Sequence, residues 1–209
     1  MGKFPESALA HKYCIGHGLE IGGSAHNPFG LNTLNVDLTD NMDTIFKQEE
    51  VDRCGEALSV DIIASGDSIP LPDCSQDFIV NSHVLEHFPN PIKALIEWDR
   101  LVKWGGVIFM IVPHKDRTID INNPRTTLQH LINDYHNSET ELHESHIGHD
   151  HCWITEDIIY LIQWMVNDLG LHWTILDIQD QDDKAGNGFT IVLRKDKNNA
   201  KITISNNPC

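Results

Sequence analysis

The chain has no Cys-x-x-Cys pair, and its five cysteines (Cys14, Cys54, Cys74, Cys152 and Cys209) are odd in number and widely scattered. That spacing argues against a disulfide framework and a cysteine-built zinc site, and reads as reduced thiols. Positive charge is scarce too, with 15 Lys and Arg facing 31 Asp and Glu for a formal charge of −16. Such a surface repels phosphate backbones and anionic lipid, so neither nucleic acid nor a membrane is an expected partner. No apolar run reaches the ~20 residues of a membrane helix, and no basic-then-apolar leader opens the sequence. A cytoplasmic location is therefore expected. The dinucleotide fingerprint Gly-x-Gly-x-x-Gly is also missing, which weighs against an NAD-dependent oxidoreductase. No repeat or linker divides the 209 residues, a length that suits one domain over 1–209 with a sizeable core.

What is present is an alternation of strand and helix signals. Strands are expected at Leu19–Gly22, Leu34–Asp37, Val60–Ala64, Asp77–Asn81 and Val107–Val112, the last almost purely apolar, as a central parallel strand should be. Helices are expected over 3–13, over Asp43–Arg53, and from the Asn90-Pro91 cap to the Gly105-Gly106 stop. Residues 113–153 are polar and rich in histidine, with a short helix near Thr126–Tyr135. Thr155 is expected to cap a long amphipathic helix from Glu156 to Leu169. Trp173–Ile178 and Phe189–Arg194 then read as a hairpin, followed by a frayed tail over 196–209. The expected fold is α/β, Rossmann-like and doubly wound, with a mostly parallel seven-stranded sheet closed by a C-terminal antiparallel hairpin.

The most telling stretch is Gly18-Leu19-Glu20-Ile21-Gly22-Gly23-Ser24 followed by Asn35-Val36-Asp37-Leu38. A glycine turn after an apolar strand lets the backbone approach a ligand, and an acid at the tip of the next strand can bind a ribose diol. With Gly66-Asp67-Ser68-Ile69-Pro70-Leu71-Pro72, the string from Asp77 to Phe88 and the terminal hairpin, the order of pieces resembles a class I S-adenosylmethionine-dependent methyltransferase over nearly the whole chain. The resemblance implies S-adenosylmethionine as cofactor. It would be held by Glu20, Gly22, Gly23, Ser24 and Asp37, by Asp67 and Ser68 at the adenine, and by Asn81, Ser82 and His83 near the methionine end. The sequence departs from the family at Ser24–Gly30, which has room for one turn at most where a crossover helix is usual.

The histidines suggest what is methylated. An alcohol loses its proton only far above neutral pH, and an imidazole can take that proton as the oxygen attacks. His151, His149 and His114 are the base candidates, in that order; His83 and His87 can line the pocket or pack. Three readings of the run His143–His151 stay open: a polar surface loop, a substrate site with one histidine as base, or a divalent metal site using imidazoles with Glu144 or Asp150. The segment from Pro113 to Trp153 resembles the substrate-side insertion of sugar O-methyltransferase domains linked to glycosyltransferases, including those of chloroviruses. This implies a glycan acceptor, a deoxyhexose such as rhamnose, and association with glycosyltransferase domains; a small-molecule acceptor such as a carboxylate or phenol, and a non-catalytic cofactor-binding module, are the alternatives. Arg117, Arg125, Asn122 and Asn123 would hydrogen-bond a sugar, and Tyr135 or Trp153 would stack on it. Trp98 and Trp164, at helical spacing among aliphatics, are expected in the core.

Overall fold

The computed structural model describes residues 4–24, 28–138 and 149–197. Seven strands form one sheet in the order β3-β2-β1-β4-β5-β7-β6. They are β1 (Gly18–Ile21), β2 (Thr33–Asp37), β3 (Ile62–Ile63), β4 (Gln76–Ser82), β5 (Val102–Pro113), β6 (Trp173–Gln179) and β7 (Gly188–Lys195). The first five run parallel, and β7 inserts antiparallel between β5 and β6, as expected of a doubly wound sheet closed by a hairpin. The helices are α1 (Ala8–Tyr13), α2 (Ile45–Cys54), α3 (Pro91–Leu101), α4 (Leu128–Asn137) and α5 (Thr155–Asp168). Among the described residues no helix is long and apolar enough to cross a membrane. Residues 198–209 of the expected tail lie outside the described residues.

The central strands are buried on both faces, which explains their unbroken apolar sequence. Side chains alternate across a strand. Ile79, Ile108, Met110 and Val112 accordingly join Trp98 and the apolar faces of α3 and α5 on one side. Phe78, Val80, Phe109 and Ile111 pack with α1 residues Leu9 and Ala10 on the other. Trp98 is fully buried and Trp164 packs against the same core.

Two element ends differ from expectation. The Asn90 side chain caps α3 at Lys93 N, 3.0 Å, with Pro91 in the first turn, as the sequence suggests. The helix ends at Leu101, however, and passes straight into β5, because Val102 is drawn into register with Gln76. Gly106 is therefore not a helix stop. A Cβ there would lie 2.6 Å from the Asp77 carbonyl, so glycine permits the close approach of β5 to β4. At α5 the cap is Ile154: the Asp157 carboxylate accepts its N–H at 3.0 Å, while Thr155 turns its hydroxyl to Asp180 at 2.5 Å.

The connection from β1 to β2 carries no helix among its described residues, in line with the short Ser24–Gly30 stretch. Phe29 fills the space instead. It is fully buried, 5.9 Å edge-to-face from Phe109, with the Lys184 ammonium 4.8 Å from its ring centre. The other end of that clamp is the β6–β7 turn. Asp182 accepts N–H bonds from Lys184, Ala185 and Gly186 on one oxygen and from Gly188, at 2.7 Å, on the other.

Two expected outcomes follow. Phe29→Ala should cost about 3–5 kcal/mol in urea unfolding, since it opens a cavity where a helix would otherwise pack. Burial works to raise the Asp182 carboxyl, but its backbone N–H bonds outweigh it and hold the group below the usual carboxylate range. Its stabilisation is present above the unfolded value of ~3.9 and is lost as pH falls through the depressed folded value. Asp182→Asn should therefore cost about 2 kcal/mol at pH 7, and the gap from wild type should close on acidification. Equal stability at neutral pH would overturn this.

Candidate active site

The parallel strands all end on one side, and the expected cofactor residues meet there. At the end of β1, Gly22 has φ +69° and its N–H donates to Val36 O at 2.8 Å. A Cβ on Gly22 would lie 2.6 Å from Val84, and one on Gly23 would lie 2.5 Å from Asn35 Oδ1. Only glycine fits this turn without displacement. Lys47 of α2 pins it from beneath, donating to Gly23 O at 2.8 Å, to Leu58 O at 3.1 Å and to Glu50 Oε2 at 2.9 Å. Both members of this ion pair are buried. Sequence reading missed Lys47: in a polar helix it looks like any solvated lysine, and its only signal is the i, i+3 spacing to Glu50.

Around the turn, Ser24 Oγ donates to Phe46 O at 3.4 Å, and Thr33 Oγ1 donates to the buried Glu20 carboxylate at 3.4 Å. Asp37 ends β2, with Oδ1 accepting Leu38 N at 2.7 Å. Asn81 pairs with Ile21 across β1 and β4 and is fully buried, yet neither amide atom has a hydrogen-bond partner among the described residues. Ser82 follows it, buried. Asp67 sits in the tight turn closed by Ser68 N to Ser65 O, and both its oxygens are taken, by Ser65 Oγ at 2.5 Å and Lys93 Nζ at 2.8 Å. Burial acts to raise its carboxyl, but those two bonds win and hold it low.

Beyond β4 and β5 lies a cavity of about 620 Å³ lined by Glu49, His83, Arg117, Thr118, Ile119, His149 and Asn187. His83 stands at φ +56°, a backbone conformation rare for a non-glycine residue and commonest where function holds it. His149 Nδ1 donates to Asp120 Oδ2 at 2.6 Å, the tautomer in which the neutral ring has Nε2 as its acceptor nitrogen. Burial works to raise Asp120, but the His149 contact outweighs it and keeps the carboxyl below its usual range. Glu86 lies behind these histidines, fully buried. Neither of its carboxylate oxygens is hydrogen-bonded to another described residue. Burial pushes its carboxyl up to about 8; its own backbone N–H lowers it and the nearby Asp120 raises it further.

The remaining expected residues do not gather at the cavity. His151 is wholly buried, its Nε2 3.0 Å from Phe88 O and its ring stacked on Trp153 at 5.3 Å. It is a packing histidine between α4 and the 85–88 turn. His114, at the end of β5, accepts Asp116 N on Nδ1 at 3.2 Å and stands behind Arg117 and Asn187. Burial, then the Arg117 charge, lower its pKa, so it is neutral at physiological pH. Arg117 lines the cavity and is held to the Asp180 side chain and carbonyl. Arg125 makes a bidentate pair with Asp157 at the start of α5 (3.0 and 2.5 Å), Tyr135 packs against Trp164, and Trp153 is fully buried. These three make contacts within the fold and are not among the residues lining the cavity. Asn123 likewise donates to Asp120, 3.0 Å. His143, Glu144 and His146 lie outside the described residues.

Residues 14–110, a little under half of the chain, match the family model described as a methyltransferase domain. A solved structure from Thermotoga maritima, described as a SAM-dependent methyltransferase and possible histamine N-methyltransferase, is 17% identical over 90% of this chain and 86% of its own, with a TM-score of 0.55. A SAM-dependent methyltransferase of Methanosarcina mazei is 16% identical over 90% of this chain and 97% of its own, with a TM-score of 0.53. An uncharacterised protein of Methanocaldococcus jannaschii is 33% identical over 112 residues, 52% of this chain and 50% of that protein. The match thus spans about half the length of that curated relative. The fold is the one these solved methyltransferase structures have, and S-adenosylmethionine is the cofactor that the resemblance implies.

The residues present fit that cofactor. The turn at Gly22 and Gly23 carries no Cβ to keep a ligand from its backbone, and Asn81 holds a buried amide with no hydrogen-bond partner among the described residues. Gly22, Gly23, Ser24 and Asn81 would hold the amino-acid end and Asp37 the ribose. Asp67, with both oxygens engaged, would contribute at the adenine mainly by shaping its turn. Asp37→Ala should weaken S-adenosylhomocysteine binding by about 10–100-fold in calorimetry, with the melting temperature unchanged. Unaltered affinity would remove Asp37 from the site.

Proposed function

We infer that this chain, built on a SAM-dependent methyltransferase domain, transfers a methyl group to a hydroxyl oxygen of a sugar in a glycan. The observation carrying the reading is the Asp120–His149 pair on the cavity wall. A carboxylate that fixes one imidazole nitrogen leaves the other ready to accept a proton, and among common acceptors it is the alcohol that needs such help. When bound, S-adenosylmethionine supplies a sulfonium methyl already activated for in-line attack. The chain's own residues must then align the acceptor, exclude water and take its proton.

His149 and His83 are the two imidazoles on the wall, and either can receive the proton as the carbon–oxygen bond forms and the carbon–sulfur bond breaks; this step is worth about 10²–10⁴-fold. Arg117, its guanidinium held still by Asp180, offers fixed donors to sugar hydroxyls, and Glu49, Thr118 and Asn187 complete a polar lining with one apolar contact at Ile119. The −16 charge supports a glycan over a polyanion as partner. Association with glycosyltransferase domains, which would deliver a deoxyhexose such as rhamnose, belongs to the same reading.

Methyl transfer from labelled S-adenosylmethionine to rhamnose-terminated glycans tests it. His149→Ala should lower turnover by at least about 100-fold with S-adenosylhomocysteine affinity unchanged. If His149→Ala and His83→Ala both stay within a few-fold of wild type, the histidine mechanism is wrong. Label entering amines or carboxylates but no sugar would overturn the acceptor.

A further inference from the structure

Three imidazoles converge on one oxygen of the buried Glu86 carboxylate. His87 Nε2 lies 3.7 Å from Oε1, His149 Nε2 3.8 Å and His83 Nδ1 4.0 Å. None of these is a hydrogen bond, and neither Glu86 oxygen finds one from another described residue. A carboxylate taken wholly out of water is costly unless a charge compensates it nearby. We propose that Glu86, His87 and His149 bind a divalent cation of the Mn²⁺, Co²⁺ or Zn²⁺ kind at the edge of the acceptor cavity.

The three donor atoms all lie within 4.8 Å of one another. Ligands about 2.1 Å from a shared ion stand about 3.0–3.4 Å apart, so binding would draw the two Glu86–imidazole spacings in by a few tenths of an ångström and the widest spacing of the set by up to about 1.4 Å. Two imidazoles and a carboxylate suit a borderline first-row ion better than Mg²⁺ or Ca²⁺, which prefer oxygen alone. The outer contact is also of the right kind. Asp120 accepts the Nδ1 proton of His149 at 2.6 Å, which fixes the ring and presents Nε2 to the ion, as carboxylates behind metal-bound histidines do. Backbone bonds hold the donors in place: Asp150 N and His151 N both donate to Glu86 O, at 3.0 and 3.2 Å, tying the chain beside His149 to the Glu86 turn.

His149 lines the cavity, so coordination positions left open by three protein ligands face the acceptor. The use of the ion rests on the methyl-transfer reading above. It would chelate neighbouring hydroxyls of a sugar and lower the pKa of the one attacked. His149 would then act as ligand, and His83, outside the set, would be the imidazole left for the proton. A second grouping, His130, Asp134 and His151, lies behind the cavity wall and serves as a control.

The test is titration of Co²⁺ into the chelator-stripped full chain, followed by visible absorption and calorimetry, with S-adenosylhomocysteine titrated into the same samples. One ion per chain is expected. Glu86→Gln, His149→Ala and the partly exposed His87→Ala should each weaken Co²⁺ by at least about tenfold, and Asp120→Asn by about 10–100-fold. His130→Ala should leave it unchanged. Absence of Co²⁺ binding, wild-type affinity in the Glu86 and His149 variants, or loss only in His130→Ala would overturn the site. Should Glu86→Gln fail to fold, His87→Ala decides alone. Cobalt binding as described without S-adenosylhomocysteine binding would leave the site standing and remove the methyl-transfer reading; the reverse would remove the site alone.

Discussion

The structure at the mouth of the sheet is organised around one buried acid. Glu86 sits in the short turn after β4, where its carbonyl accepts the amides of Asp150 and His151 and its carboxylate faces His83, His87 and His149. A single residue thus ties the turn that follows β4 to the chain entering α5, a segment far away in sequence. A carboxyl in this position cannot be relieved by solvent, so it either keeps its proton, as its raised pKa allows, or is ionised against a cation held beside it.

The rest of the site is held by substitutes for the usual parts. With no helix among the described residues between β1 and β2, the glycine turn is supported by Lys47 and its partner Glu50 from α2, and the vacated face is filled by Phe29. Lys184 covers that ring and donates to Pro5 O and Pro28 O, so the β6–β7 turn ordered by Asp182 is coupled to the N-terminal segment. Asp180, in the same turn, holds Arg117 to the cavity wall and receives the Thr155 hydroxyl from α5. Hairpin, cofactor turn and acceptor wall are therefore linked by a small number of charged contacts, most of them shielded from water. Such contacts are strong when complete and expensive when one partner is removed.

Much of the fold was legible because its signals are local. The apolar run at 107–112, the Asn90-Pro91 cap and the glycine turn at 22–23 each act within a few residues, and each reappears in the structure. The end of α3 was misread because Gly105-Gly106 looks like a stop, whereas pairing of Val102 with Gln76 on a neighbouring strand ends the helix earlier. The histidine run was legible as a cluster but not in its parts. His149 and His151 are two residues apart, yet one reaches the cavity beside Asp120 and the other is buried against Phe88 and Trp153. Arg125, Tyr135 and Trp153 have side chains suited to a sugar, but Asp157, Trp164 and the core claim them.

The sequence by itself determined the order of elements, the doubly wound sheet and the cofactor turn, because periodicity, capping and glycine conformation are properties of short stretches of chain. Tertiary structure decided which titratable groups share a space. Asp120, Glu86 and His149 come together from three separate segments, and Lys47 finds Gly23 across 24 residues. No spacing in the chain encodes those meetings: each follows from where the packed sheet leaves a buried charge in need of a partner.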